Sequence, residues 1–359
     1  MIRIELRLGQ AFIEFAGDFR GRSASAPAHR SMEVRVSVLA TMRALARDAF
    51  EPTCRRLPKR MVVELLGRYT RGLNVALCLH RVGEKIRDTD PLPNQTIAPS
   101  ALDELMHLVR AARELGGGPR RLTLAFDDGY RDAVDYVRKR APDFPDMEWL
   151  VFVCPEKLLT RAAFRWDLWE NELETRGTKV RLEAMQKGIE PLRENRRPEL
   201  RALGNRKEYA IASVEECLSL LELKEVTLGN HTNTHLALST VPDEVARLEV
   251  ALSTSAFEHM FGPCTQFAFP FGVPSRDYRA SDVEALKEIA PRAILWSTEP
   301  RPHLPSERRP GAVLPRIPVP GRWSAKAIAA RLSILAKRQS SSPAPSPSPG
   351  SSPASEASS

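Results

Sequence analysis

Two adjacent carboxylates, Asp127 and Asp128, follow an apolar run at residues 122–126 and precede Gly129. Two histidines, His231 and His235, stand four positions apart roughly a hundred residues further on. Neighbouring carboxylates at one strand end repel each other at neutral pH and need a cation or a proton between them. Read alone, the Asp-Asp-Gly turn is equally well a strand exit that caps a following helix. The histidine spacing predicts a helical turn that puts both imidazoles on one face. Two such nitrogens and one carboxylate from another strand end make an N,N,O set. That set suits Zn²⁺ or another first-row divalent ion, with positions left open for water and substrate.

The surrounding pattern shows what would hold these residues. Continuous apolar runs at 73–79, 122–126 and 149–154 read as strands buried on both faces. Shorter strands are expected at 225–230, 265–269, 293–297 and 313–319, with helices over 99–115, 130–140, 243–260 and 281–290 between them. Strands alternating with helices predict a parallel α/β sheet or barrel, whose chemistry sits at the carboxyl ends of the strands. Ser100 is expected to open the helix at 99–115. Gly229 and Asn230 are expected to give a tight turn out of their strand. Pro315 and Pro318 predict that the last strand is an edge. The expected fold is therefore an α/β, distorted (β/α)7 barrel, whose closure the two prolines leave open, with a charge-rich helical insertion at residues 160–222.

The domain expectation is a basic, partly helical extension at 1–72, a catalytic domain at 73–325, and a helix end with a Ser/Pro/Ala tail at 326–359. Residues 1–72 carry 14 Lys/Arg against 7 Asp/Glu, which is most of the net charge of +8. The rest of the chain is nearly neutral, and no nucleic-acid partner is expected from it. The basic segment is open to a membrane-surface or partner contact, with simple packing on the main domain the first expectation. Pro52 and Pro58 divide its helical stretch, and Met32, Met42 and Met61 are alternative starts. Five scattered cysteines with no CxxC pair are not a disulfide framework. With neither a signal-peptide pattern nor a long apolar run, the expected location is cytoplasmic.

The motifs in their order resemble the polysaccharide deacetylases, the NodB-homology fold of carbohydrate esterase family 4. Phe126-Asp127-Asp128-Gly129 is similar to that family's first motif, His231-Thr232-x-x-His235 to its second, and Phe269-Pro270-Phe271-Gly272 to its third. His80-Arg81 after the first strand and Arg316 near the end also match, so the resemblance covers residues 73–320. It implies removal of an N-acetyl group from an N-acetylated sugar, polysaccharide or glycoconjugate intermediate. Asp128, His231 and His235 would hold a divalent metal, Zn²⁺ first, with Co²⁺, Ni²⁺ or Mn²⁺ as alternatives. Asp127 would be the general base, the Phe271 N–H an oxyanion donor, and Thr232 an anchor of the metal loop.

Two positions depart from the family. Residues 266–269 lack the Arg that usually precedes the third motif's Pro, and Arg316 would supply the guanidinium instead. The usual histidine general acid has only His303 to match it, in a Pro-rich loop where an exposed side chain is the first expectation, with His80 the second candidate. Trp166 and Trp169 are expected to pack rather than stack on sugar, Asp167 to be a helix N-terminal acid, and His29, His107 and His259 to lie at the surface. The alternatives are a same-fold hydrolase of a non-sugar amide and a non-catalytic carbohydrate-binding relative.

Overall fold

The computed structural model describes residues 49–84, 96–168 and 197–341. Expectations for residues 1–48, for Trp169 and the middle of the insertion, and for the Ser/Pro tail lie outside these. Seven parallel strands form a closed barrel: β1 (Asn74–Leu79), β4 (Arg121–Phe126), β5 (Glu148–Val153), β6 (Val226–Asn230), β7 (Gln266–Ala268), β8 (Ile294–Thr298) and β9 (Val313–Pro318). A two-stranded piece, β2 (Arg81–Val82) with β3 (Thr96–Ile97), follows β1. The connecting helices include α1 (Lys59–Thr70), α2 (Pro99–Glu114), α3 (Arg131–Arg140), α4 (Pro155–Thr160), α5 (Arg197–Gly204), α6 (Val214–Leu218), α7 (Asp243–Phe261), α8 (Ala280–Ile289) and α9 (Ala325–Ser341).

Strand alternation sorts the side chains. Val75, Leu77, Leu122, Leu124, Phe126, Trp149, Val151 and Val153 face outward into one large cluster with the helices. Ala76, Ala125, Leu150, Phe152, Ala268, Trp296 and Leu314 face inward and fill the barrel. Small alanines on three strands make room for the Phe152 and Trp296 rings, the large-against-small filling that a narrow barrel interior demands. The same alternation carries upward: Cys78, Asp127 and Arg316 are the next inward positions on β1, β4 and β9, so the top of the interior is polar by construction.

The last strand is not an edge, and the barrel is closed. β9 pairs with β8 from Leu295↔Val313 to Thr298↔Arg316, and with β1 at Leu77↔Ile317 and Cys78↔Pro318. Val319 N–H donates to Cys78 O, so odd-numbered N–H groups of β9 face β1 and even-numbered ones face β8. Pro315 would therefore aim its missing N–H at β1 below the first registered pair, and Pro318 at β8 beyond the last. Neither proline removes a rung of the ladder.

Three local readings change. The helix at 99–114 starts with Pro99 at its first turn and Ala98 at its cap, with no side-chain cap from Ser100. Asn230 is not a turn residue but ends β6, its amide donating to Ser253 Oγ on α7 at 3.0 Å. Gly229 faces inward, where an added Cβ would lie 2.4 Å from the Phe152 ring, so the glycine is set by packing rather than by a turn. In the basic segment, Pro52 lies within the helix at residues 49–55, while Pro58 stands at the N-cap of α1. α1 packs against α9 and α2.

Candidate metal centre and hydrolytic site

The carboxyl ends of β1, β4, β6 and β9 bring Cys78, His80, Asp127, Asp128, His231, His235 and Arg316 together. Asp127 continues the inward line of β4, its N–H donating to Leu79 O at 2.8 Å as one more rung. Asp128 then takes φ +75° and Gly129 φ +72°. That left-handed pair reverses the pleat, so both carboxylates end up on the same side instead of on opposite faces. Such conformations cost non-glycine residues free energy and persist where surrounding structure enforces them.

His231 extends the β6 ladder, its N–H donating to Val153 O at 2.9 Å. The next four residues are not a helical turn. Thr232 (φ +60°) and His235 (φ +64°) are both left-handed. The loop is pinned by Thr232 Oγ1 accepting from Leu236 N–H at 3.1 Å, by Glu249 accepting from Thr234 N–H at 2.7 Å, and by Asn233 O accepting from Glu156 N–H at 3.2 Å. The imidazoles converge because this strand-end loop doubles back, their centroids 4.9 Å apart.

Asp128 Oδ1 lies 3.2 Å from His235 Nε2 and 3.7 Å from His231 Nε2. Their ligand atoms all fall within 4.8 Å of one another, and all three residues are buried. His231 Nδ1 is 2.8 Å from Ala268 O, which fixes the tautomer with Nδ1–H donating and leaves Nε2 with its lone pair free. Burial lowers the His231 and His235 imidazoles to about 4 and about 3, so both are neutral at pH 7, with Asp127 opposing the effect in each case. Burial likewise pushes the Asp128 carboxyl up, against His80 and His231. Among the described residues, neither Asp128 oxygen has a hydrogen-bond partner. A buried carboxylate without donors, facing two neutral imidazole nitrogens, is a costly arrangement that a divalent cation would relieve. The donor set fits the metal that the motifs imply.

Asp127 has a different environment. Arg316, fully buried, donates from Nη1 to Asp127 Oδ1, and from Nε to Ser297 O at 3.3 Å. The Cys78 thiol lies between the two strands, 3.5 Å from Asp127 Oδ2. Burial raises the Asp127 carboxyl, but Arg316, His231 and His80 outweigh it and hold it at about 2. Two neighbouring aspartates are thus driven in opposite directions, one towards a cation and one ionised by a fixed guanidinium. His80 is partly buried beside Asp127 and Cys78, its Nδ1 without a partner among the described residues. Burial lowers it, with Asp128 and Asp127 opposing.

Phe271 also belongs here. It adopts φ +59°, its ring stands 5.0 Å from His235, and its main-chain N–H makes no hydrogen bond among the described residues. His303 does not belong. It is fully buried rather than exposed, and its backbone exchanges both hydrogen bonds with Asn74 at the start of β1. Leu79 marks the top of that strand five residues later, about 16 Å away at the usual rise per residue. A histidine plugging the bottom of the barrel beside Trp296 cannot hand a proton to a reaction at the top. Asp167 is a helix N-terminal acid as expected, in the first turn of the helix that starts at residue 165 and accepting from Phe164 N–H at 2.8 Å; it is also fully buried and accepts from the Tyr130 hydroxyl at 2.9 Å. The sequence singles out Trp166 and Asp167, but gives no sign that they meet Tyr130 from another loop.

No protein-family model matches the chain, and no curated protein matches it. Solved structures do match. A polysaccharide deacetylase from Bacillus cereus aligns over 73% of this chain and 69% of its own, with 13% identity and a TM-score of 0.48. The chain is similar to polysaccharide deacetylases. A Streptococcus pyogenes deacetylase in complex with acetate covers 73% of this chain and 99% of its own, at 12% identity and TM-score 0.46. IcaB from Ammonifex degensii covers 72% and 97%, at 17% identity and TM-score 0.43. Likeness of this size reaches no further than the fold, and the barrel itself stands on the strand pairing described above. Among the described residues, no helix is long and apolar enough to cross a membrane.

Proposed function

We propose that the protein is a metal-dependent hydrolase that removes an acetyl group from an N-acetylated sugar, within a polysaccharide or glycoconjugate intermediate. The observation that carries this reading is the Asp128 carboxylate, buried without a donor against two imidazole nitrogens. Asp128, His231 and His235 would hold the ion. A divalent ion at such a site supplies Lewis acidity towards water and towards an acyl oxygen.

The chain's own groups supply the rest. Asp127 is kept ionised by Arg316 and accepts the proton of the attacking water. Arg316 also fixes which oxygen does so, because Oδ1 is engaged and Oδ2 lies towards His231, 3.8 Å from its Nε2. The unengaged N–H of Phe271 is a donor for the oxyanion of the tetrahedral state. His80, on the same rim and near both aspartates, is the donor we assign to the leaving amine in place of His303.

Acetate release from N-acetylglucosamine oligomers and lipid-linked precursors tests the reading. Activity should disappear with a chelator, return with Zn²⁺ or Co²⁺, and fall by at least a hundredfold in Asp127→Asn, within the range general-base removal costs. Turnover indifferent to chelator, or an Asp127→Asn variant as active as the parent, would exclude it.

A further inference from the structure

The two histidines of the site are held in different ways. His231 has an oriented ring, because Nδ1–H is bonded to Ala268 O. His235 has no such anchor: its buried Nδ1 meets no partner beyond its own main chain among the described residues. A metal-ligating imidazole normally needs a hydrogen bond on its second nitrogen to fix ring and tautomer. Aromatic rings do this work for His235. Trp166 stands edge-on to it with centroids 4.8 Å apart and planes at 68°, Phe271 at 5.0 Å and 81°, and Phe164 at 5.5 Å and 76°.

Two members of that cage are locked to a polar core. Trp166 stacks on Phe164 at 4.5 Å, and its Nε1–H donates to the Tyr130 hydroxyl at 2.8 Å. The Tyr130 hydroxyl donates in turn to Asp167, which also accepts from Phe164 N–H. Arg81, 3% exposed, lies 3.8 Å from Asp167 Oδ1, and its guanidinium sits over the Tyr130 and Tyr209 rings at 5.3 and 5.7 Å. Asp167 is completely buried. The contacts join β2, the loop after β4 and the segment after α4. A buried ionic network of this kind costs desolvation and is retained where it fixes one arrangement over others.

We infer that Tyr130, Asp167 and Arg81 are positioning residues for His235: through Trp166 and Phe164 they hold the aromatic wall that aims its Nε2 at Asp128. The inference rests on the metal-site reading above. It assigns a purpose to a buried hydroxyl that hydrogen-bonds none of Asp127, Asp128, His231 and His235. Removing the Tyr130 hydroxyl frees the indole donor and leaves the His235 ring able to rotate, while His231 keeps its carbonyl.

The test is titration of the metal-free protein with Co²⁺ alone, followed by its visible absorption and by competition with a chromophoric chelator. Tyr130→Phe, which preserves the ring, should weaken Co²⁺ binding about tenfold, the lower end for losing an outer partner of a ligand. It should also change the shape of the visible band, with the far-ultraviolet circular dichroism unchanged. Trp166→Ala should weaken binding further, and Trp166→Phe, which restores an edge without the N–H, should recover part of the loss. Folded Tyr130→Phe and Trp166→Ala proteins with the parent's Co²⁺ affinity and spectrum would overturn the inference and leave the metal site standing. A parent protein that binds no Co²⁺ would overturn both.

Discussion

Replacing Arg316 by Met should destabilise the protein far more than an ordinary core substitution. The guanidinium is completely buried and bonded to an Asp127 carboxylate whose side chain is 4% exposed. It also lies over the Phe152 ring, 5.1 Å from the centroid. Methionine keeps an unbranched chain against that ring but leaves the carboxylate buried and unpaired. At a separation of roughly 3 Å and an effective dielectric of about 20, opposite unit charges attract by about 5 kcal/mol. Breaking a buried pair by deleting one partner costs about 3–5 kcal/mol, because the surviving charge keeps its desolvation penalty. Asp127→Asn should cost less, about 1.5–3 kcal/mol, since the amide oxygen can still accept from the guanidinium. The double variant removes both charges and should cost about as much as Arg316→Met alone rather than the sum of the two, giving a coupling of about 2–3 kcal/mol. Urea unfolding of the four metal-free proteins, followed by tryptophan fluorescence and circular dichroism, measures the cycle. A loss under about 1 kcal/mol for Arg316→Met, or additive single effects, would refute the assignment of a buried ion pair beneath the site.

Two further outcomes follow from the same geometry. Asp128→Asn should raise the thermal midpoint of the metal-free protein by a few degrees, on the order of 1 kcal/mol, while abolishing divalent-ion binding, because it removes a buried charge without donors; scanning calorimetry with and without Co²⁺ reads both. His303 is held at about 4 by burial, below an unfolded value near 6.5. The unfolded chain therefore binds the extra proton between those values, so stability falls as pH drops from 6.5 to 4, by about 3 kcal/mol in all. His303→Leu should lessen the slope by that share in urea titrations across the same window, leaving the part due to His231 and His235, and an unchanged slope would refute the burial of a neutral His303.

The barrel was legible because strands buried on both faces leave uninterrupted apolar runs, as at residues 73–79 and 149–154. The Asp127–Asp128 pair was legible as chemistry because like charges at one strand tip need a counter-charge. What escaped were facts of backbone and packing. The histidine loop looked helical, since spacing alone cannot reveal that Thr232 and His235 are left-handed. His303 looked like an exposed loop residue, with the general acid as the other candidate role, because pairing with Asn74 is a contact between segments more than two hundred residues apart. Pro315 and Pro318 suggested an edge, because their fit depends on where the neighbouring strands begin and end. Asp167 was legible as a helix N-terminal acid, but its partners Tyr130 and Arg81 come from the loop after β4 and from β2.

The closure of the barrel carries one more consequence. β1 and β9 share only two registered pairs, against four between β8 and β9 and six between β1 and β4. With the junction of β6 and β7, which share a single registered pair, this seam is one of the two least protected of the cylinder, where amide hydrogens should exchange early and where the sheet can unzip. Arg316 on β9 reaches across it, past Cys78 on β1, to Asp127 on β4. The bond that keeps the Asp127 carboxyl ionised is therefore also a staple over the seam, and a barrel that has parted there no longer holds that carboxylate against its guanidinium.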